Sequence, residues 1–146
     1  MAIFTAFDIS GSGMSAQRLR SDIISQNLAN VNSTSSQDGG AYRRKTVVFA
    51  EKNATAFSDI LLSTAGTVGT GVKVTKVIED YETAMNMVYD PAHPDADENG
   101  YVLYPNVNVV TEMTDLIDAT RSYEANATAF EASKNIASLG LSIMQS

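Results

Sequence analysis

Two short stretches carry residue types and spacings that could do chemistry. Gly11-Ser12-Gly13-Met14-Ser15-Ala16 has the G-x-G-x-x-A spacing whose glycines let a backbone approach a dinucleotide pyrophosphate. That use needs a preceding strand, which Ala2 to Ile9 could supply, and a second strand ending in an acid about 20 residues on. The stretch from Asn32 to Gly40 is instead a polar run rich in turn formers, so the second strand is missing. A small dinucleotide-binding enzyme using Gly11–Ala16 stands as the alternative from the enzyme class. Asp95-Ala96-Asp97-Glu98-Asn99-Gly100 fits the opening of a calcium loop. Asn106 stands where the closing bidentate Glu belongs, and Pro91, Pro94 and Pro105 replace the flanking helices, so a solvated acidic turn is expected.

His93 is the only histidine, and there is no cysteine, which excludes thiolate metal sites and disulfides. A Ser-His-Asp arrangement would have to use His93, yet no serine sits in a G-x-S-x-G turn. No catalytic, cofactor-binding or metal-ligating residue is assigned, no cofactor is expected, and the chain is read as not an enzyme. The tight basic cluster Arg43-Arg44-Lys45 is too short to reverse a net charge of −7 and a pI near 4.5. Nucleic acid is therefore excluded as a partner, and the cluster is expected to be a solvated strand edge.

These motifs sit among elements that suit packing better than catalysis. Charged residues make up 18% of the chain's 146 residues, below the usual share of about 25%. Between Met1 and Val31 only Asp8, Arg18, Arg20 and Asp22 are charged, so little of that segment is expected to meet water. Spacings of three and four place Ile3, Phe7, Met14, Ile24, Leu28 and Val31 on one helical stripe, interrupted by Ser10, Gln17 and Ser21. Ala6, Ile9, Ala16 and Ile23 make a second stripe beside it. The same alternation runs through Val109, Met113, Leu116, Tyr123, Ala127, Phe130, Ala137, Leu141 and Met144, broken only by Thr120 and Lys134. That predicts a C-terminal helix roughly 50 Å long. Between the helices, Lys45–Phe49, Val72–Ile78, Met85–Tyr89 and Tyr101–Tyr104 read as strands, and Asp90–Gly100 reads as a loop. Ala54–Thr64 reads as either a short helix or a loop.

The predicted fold is α+β, mainly α. Long N- and C-terminal helices pack as an antiparallel coiled coil around a small central insert containing a β-hairpin. The expected parts are a helix over 1–34, a β-rich insert over 35–108 and a helix over 109–146, the two helices forming one assembly domain. The helices are unequal, so pairing within one chain leaves apolar surface for neighbouring copies. Asn27 and Asn30 are expected to hydrogen-bond between subunits, or one of them to cap the C-terminal end of the N-terminal helix. No run approaches the roughly 20 apolar residues needed to cross a bilayer, and the N-terminus lacks the basic start of a cleavable signal peptide.

Asn27-Leu28-Ala29-Asn30-Val31-Asn32-Ser33-Thr34 resembles the N-terminal signature shared by bacterial flagellar rod and hook proteins, and Ser10–Met14 with Ala16-Gln17 fits its upstream part. Gly39–Lys45, Tyr89–Asp97, Gly100-Tyr101-Val102, Tyr104–Asn108, Glu112-Met113 and Arg121–Asn126 narrow the resemblance to a proximal-rod subunit. The resemblance implies a structural protein of the periplasm-crossing flagellar rod, which carries motor torque for motility. It implies other rod subunits and copies of itself as partners, and export through the flagellar type III apparatus. Another rod or hook axial subunit is the nearest alternative.

Overall fold

The computed structural model describes residues 2–35, 39–52 and 69–145. The segment Ala54–Thr64 and the side chains of Ile3 and Met144 lie outside the described residues. Among the described residues the elements, in chain order, are α1 (Ala2–Ala29), β1 (Lys45–Glu51), β2 (Val72–Glu79), β3 (Asn86–Tyr89), β4 (Tyr101–Tyr104) and α2 (Val109–Gln145). The helices hold 28 and 37 residues and the longest strand 8, so the class is α+β and mainly helical, as the sequence predicts.

Local chemistry sets the element ends. Asn30 closes α1 by donating both its backbone N–H and its side-chain Nδ2 to the Gln26 carbonyl, at 3.1 and 2.9 Å. Asn108 opens α2: its Oδ1 accepts the N–H groups of Val110 and Thr111, two of the donors a helix start leaves unpaired. β1 pairs with β2. Hydrogen bonds from Lys52 to Gly71 and from Asp80 to Arg44, both 2.8 Å, make that pair antiparallel. β3 and β4 form an antiparallel hairpin with Met87 opposite Leu103 and Tyr89 opposite Tyr101. Gly100 starts β4 at φ +80°, and a Cβ there would meet the Tyr89 ring at 3.0 Å, so this turn requires glycine.

The chain divides into two compact units. The first gathers Met1–Leu19, Val48–Lys76 and Ala119–Ser146; the second gathers Arg20–Val47 and Val77–Asp118. In the first, the rings of Phe7 and Phe130 lie 4.9 Å apart, and Gly13 meets Asn126. In the second, Arg20 meets Asp115 at 3.0 Å and Asn27 meets Glu112 at 2.9 Å. Within each unit the contacts climb α1 as they descend α2, so the two helices run antiparallel.

The seam on α2 is not the most apolar heptad. Glu112 and Ala119 are fully buried, and Asn126 and Ser133 half-buried, at steps of seven. Of the positions one residue further on, Met113, Thr120 and Lys134 are exposed and Ala127 is half-buried. Small and polar side chains and the Phe130 ring meet α1, while Val110, Met113 and Ile117 are exposed. At Gly13 this close approach is explicit: a Cβ there would lie 2.7 Å from the Asn126 Oδ1. The buried apolar residues are correspondingly few: Ala16, Ile24, Tyr42, Val102, Pro105, Val107 and Ala119 among the described residues.

Candidate functional site: a buried polar clasp and exposed helical stripes

At the centre of the second unit is a network of polar side chains. Asn27 is fully buried on α1. Its Nδ2 donates to the Lys45 carbonyl and to the Glu112 Oε2, each at 2.9 Å. Its Oδ1 accepts the Tyr42 hydroxyl and the Lys45 N–H, also at 2.9 Å. Both amide protons and both lone pairs are thus spent inside the chain. The alternatives of an intersubunit bond or a helix cap for Asn27 both give way to this role. Asn30 is the residue that caps.

Glu112 completes the network. Its carboxylate is fully buried, with the Arg44 Nε at 2.6 Å from Oε1 and Asn27 on Oε2. Both oxygens are satisfied, which makes burial of the charge tolerable. Arg44 also reaches Asp115 at 3.4 Å, and Arg20 holds the other Asp115 oxygen at 3.0 Å. Asn106 joins from the loop before α2. Its Oδ1 accepts the Arg44 N–H, and its Nδ2 donates to the carbonyls of Asp80 and Thr83. Burial pushes the Tyr42 phenol above its ordinary 10.0, helped by the charges of Glu79 and Glu112. Hydrogen bonds from Thr83 hold the Asp80 carboxyl below its usual 3.8.

Arg43-Arg44-Lys45 is therefore not a solvated strand edge. Arg44 is committed to the clasp, Arg43 lies 4.4 Å from the Tyr81 ring centroid, and Lys45 pairs with Glu79 at 3.7 Å. Each cation of this cluster has an in-chain partner. Gly11–Ala16 lies within α1, its backbone in helical geometry rather than cradling a loop. The Ser12 Oγ donates to the Ile9 carbonyl and accepts the Val72 N–H. The acidic run at Asp95–Gly100 is the turn between β3 and β4. Asp97 Oδ1 accepts the N–H groups of Asn99 and Tyr101, Asp95 Oδ2 accepts the Thr34 hydroxyl, and His93 Nδ1 accepts the Asp95 N–H. Among the described residues no three His, Cys, Asp or Glu side chains are grouped to hold a metal ion, and no helix is long and apolar enough to cross a membrane.

The residues predicted to pack divide between two surroundings. Ile24 is buried, and Phe7, Met14, Leu28, Asn30 and Val31 on or just past α1 are half-buried. Leu116, Ala127, Phe130 and Ala137 on α2 are half-buried as well. Val109, Met113, Tyr123 and Leu141 are exposed. Two exposed stripes at helical spacing stand out on α2: Val110, Met113 and Ile117 in the second unit, and Ile136, Leu139 and Ile143 in the first. The residues that sequence periodicity misses are Tyr42, Arg44, Asn106 and Glu112. An apolar count ignores polar side chains, and the only signal was that all four fall in blocks that carry the rod-protein resemblance.

Comparison with known proteins agrees with that resemblance. Residues 7–35 match the family described as "Flagella basal body rod protein", and residues 98–143 match "Flagellar basal body rod FlgEFG protein C-terminal". The chain is 40% identical to the flagellar basal-body rod protein FlgC of Borreliella burgdorferi, covering 99% of each chain. It is 44% identical to that of Bacillus subtilis, over 98% of this chain and 99% of the relative, and 41% identical to that of Salmonella typhimurium, over 93% of each. With near-complete coverage at this identity, the chain belongs to the FlgC family of flagellar basal-body rod proteins.

Proposed function

We propose that the chain is a structural subunit of the bacterial flagellar basal-body rod, built into the periplasm-crossing shaft through α1 and α2. The observation that carries the reading is the exposed pair of apolar stripes on α2. Contiguous exposed apolar surface on a chain with so small a buried apolar set calls for a covering partner. Family membership supplies the class of partner: other rod subunits and copies of the same chain. The role is mechanical, with no reaction and no cofactor.

In this reading the helices over 1–34 and 109–146 supply the assembly surface, and residues 35–108 form the insert that the clasp ties to them. Val109, Met113, Tyr123 and Leu141 face neighbouring subunits, whereas Phe7, Ile24, Phe130 and Ala137 hold the two helices of one chain together. Export runs through the flagellar type III apparatus. The clasp gives the shaft a stiff joint, because a fully satisfied buried polar network fixes one geometry. The test is complementation of a strain lacking its own rod subunit of this family, with basal bodies purified afterwards. Recovery of swimming and the chain in the purified rod are expected; an immotile strain with rodless basal bodies would count against the reading.

A further inference from the structure

The second unit carries few cations. No Lys or Arg occurs from Val77 to Asp118, so its cations are Arg20, Arg43, Arg44 and Lys45. Arg20 and Arg44 are held by Asp115 and Glu112. Arg43 and Lys45 remain, and both line one cleft of about 310 Å³ together with Tyr42, Tyr81 and Glu79. Every wall of that cleft belongs to the second unit.

Neither cation is tightly held. The Arg43 guanidinium lies 4.4 Å from the Tyr81 ring centroid, and its hydrogen bond among the described residues runs 3.5 Å to the Asp80 carbonyl. Stacking occupies the guanidinium face and leaves N–H donors on its edge, the geometry that takes a carboxylate. The Lys45 ammonium lies 3.7 Å from Glu79 and 5.6 Å from the Tyr42 ring centroid. Glu79 also accepts the Tyr81 hydroxyl at 2.8 Å. Two cations against one carboxylate leave the cleft a net charge of +1, which one further carboxylate neutralises. A matching group stands at the β3–β4 turn. Asp95 and Asp97 accept hydrogen bonds from their own chain, whereas Glu98 is exposed and its carboxylate makes none among the described residues. A turn at the end of a hairpin is convex and can enter a cleft.

We propose that the Glu98 carboxylate of one copy enters the Arg43–Lys45 cleft of a second copy. The inference rests on the reading of the chain as a rod subunit, and it names a contact within that assembly. Cleft and turn are different surfaces, so the contact is head-to-tail and passes from copy to copy rather than pairing two copies about a twofold axis.

The test uses the full chain in the complemented strain, with incorporation measured in purified basal bodies. Glu98→Lys and Arg43→Glu each lower incorporation at least about fivefold, and the two changes together restore it to within about twofold of the unmodified chain. Glu98 is exposed and makes no bond in its own chain among the described residues, so Glu98→Lys leaves the thermal midpoint of the purified chain unchanged. A second reading treats rods of unmodified chain with a carbodiimide, which joins a carboxylate and an ammonium in contact as an amide. A band of twice the chain mass that yields a peptide linked through Glu98 and Lys45 is expected. Glu98→Lys entering the rod as well as the unmodified chain, no recovery in the paired variant, or linked copies without the Glu98–Lys45 peptide overturns the inference alone. Unmodified chain absent from the rod overturns the rod reading, and this contact with it.

Discussion

At the scale of single residues, the buried side chains that decide the second unit are polar. Glu112 and Asn27 face one another across α1 and α2 at 2.9 Å, both fully buried. Truncating Glu112 to Ala takes the partner from the Arg44 Nε, leaving Asp115 as that guanidinium's ion pair, and leaves one Asn27 proton without its carboxylate, at a cost of about 3 kcal/mol; thermal unfolding followed by circular dichroism measures it. Glu112→Gln keeps the shape, loses the charge and is expected to fall between the two. Tyr42 gives a pH signature. Its phenol is raised above 10.0 by burial and by two carboxylates, so the folded chain favours the protonated form. That stability is fully present below pH 10.0 and is lost as pH rises through the higher folded value. Alkaline unfolding curves should therefore turn down above pH 10.0, and Tyr42→Phe should flatten that limb while losing about 1 kcal/mol at neutral pH from the missing Asn27 bond.

At the scale of elements, the helices pair through small and polar positions as well as through the Phe7 and Phe130 rings. Gly13 permits the approach, since any Cβ there would press on Asn126. Gly13→Leu is expected to force the seam apart at a cost of about 1–3 kcal/mol, read as a loss of swimming and of rod incorporation. Gly13→Ala combined with Asn126→Ala should keep both, because the clash and its partner are removed together. Much of the element plan was legible. The three-and-four alternation gave both helices, the β-branched runs gave β1 and β2, and Tyr101–Tyr104 gave β4. The seam was less legible. Periodicity weights apolar residues, so it ran through Met113 and Thr120, whereas the chain buries Glu112 and Ala119. A carboxylate enters a seam only when specific partners neutralise it, and those partners, Arg44 and Asn27, are remote in sequence. No periodicity reports contacts of that kind.

At the scale of the whole molecule, many large apolar side chains of the described residues are exposed. Ile136, Leu139 and Ile143 are each about two-thirds exposed on the part of α2 that lies past Phe130, the residue that meets Phe7 near the start of α1. An inequality in helix length was legible in the sequence, because one stripe ran further than the other. The motif with the strongest look of an enzyme, Gly11–Ala16, is part of the packing helix, and the acidic run at Asp95–Gly100 is a hairpin turn. The central claim is that the exposed α2 stripe is assembly surface with no part in holding the chain's own fold. The most direct measurement replaces Ile136, Leu139 and Ile143 together with Ser and follows two quantities, the thermal midpoint of the purified chain and its incorporation into rods. A midpoint shifted by no more than about 0.5 kcal/mol of stability, with incorporation and swimming abolished, is the expected result. Wild-type swimming by that variant would contradict the account.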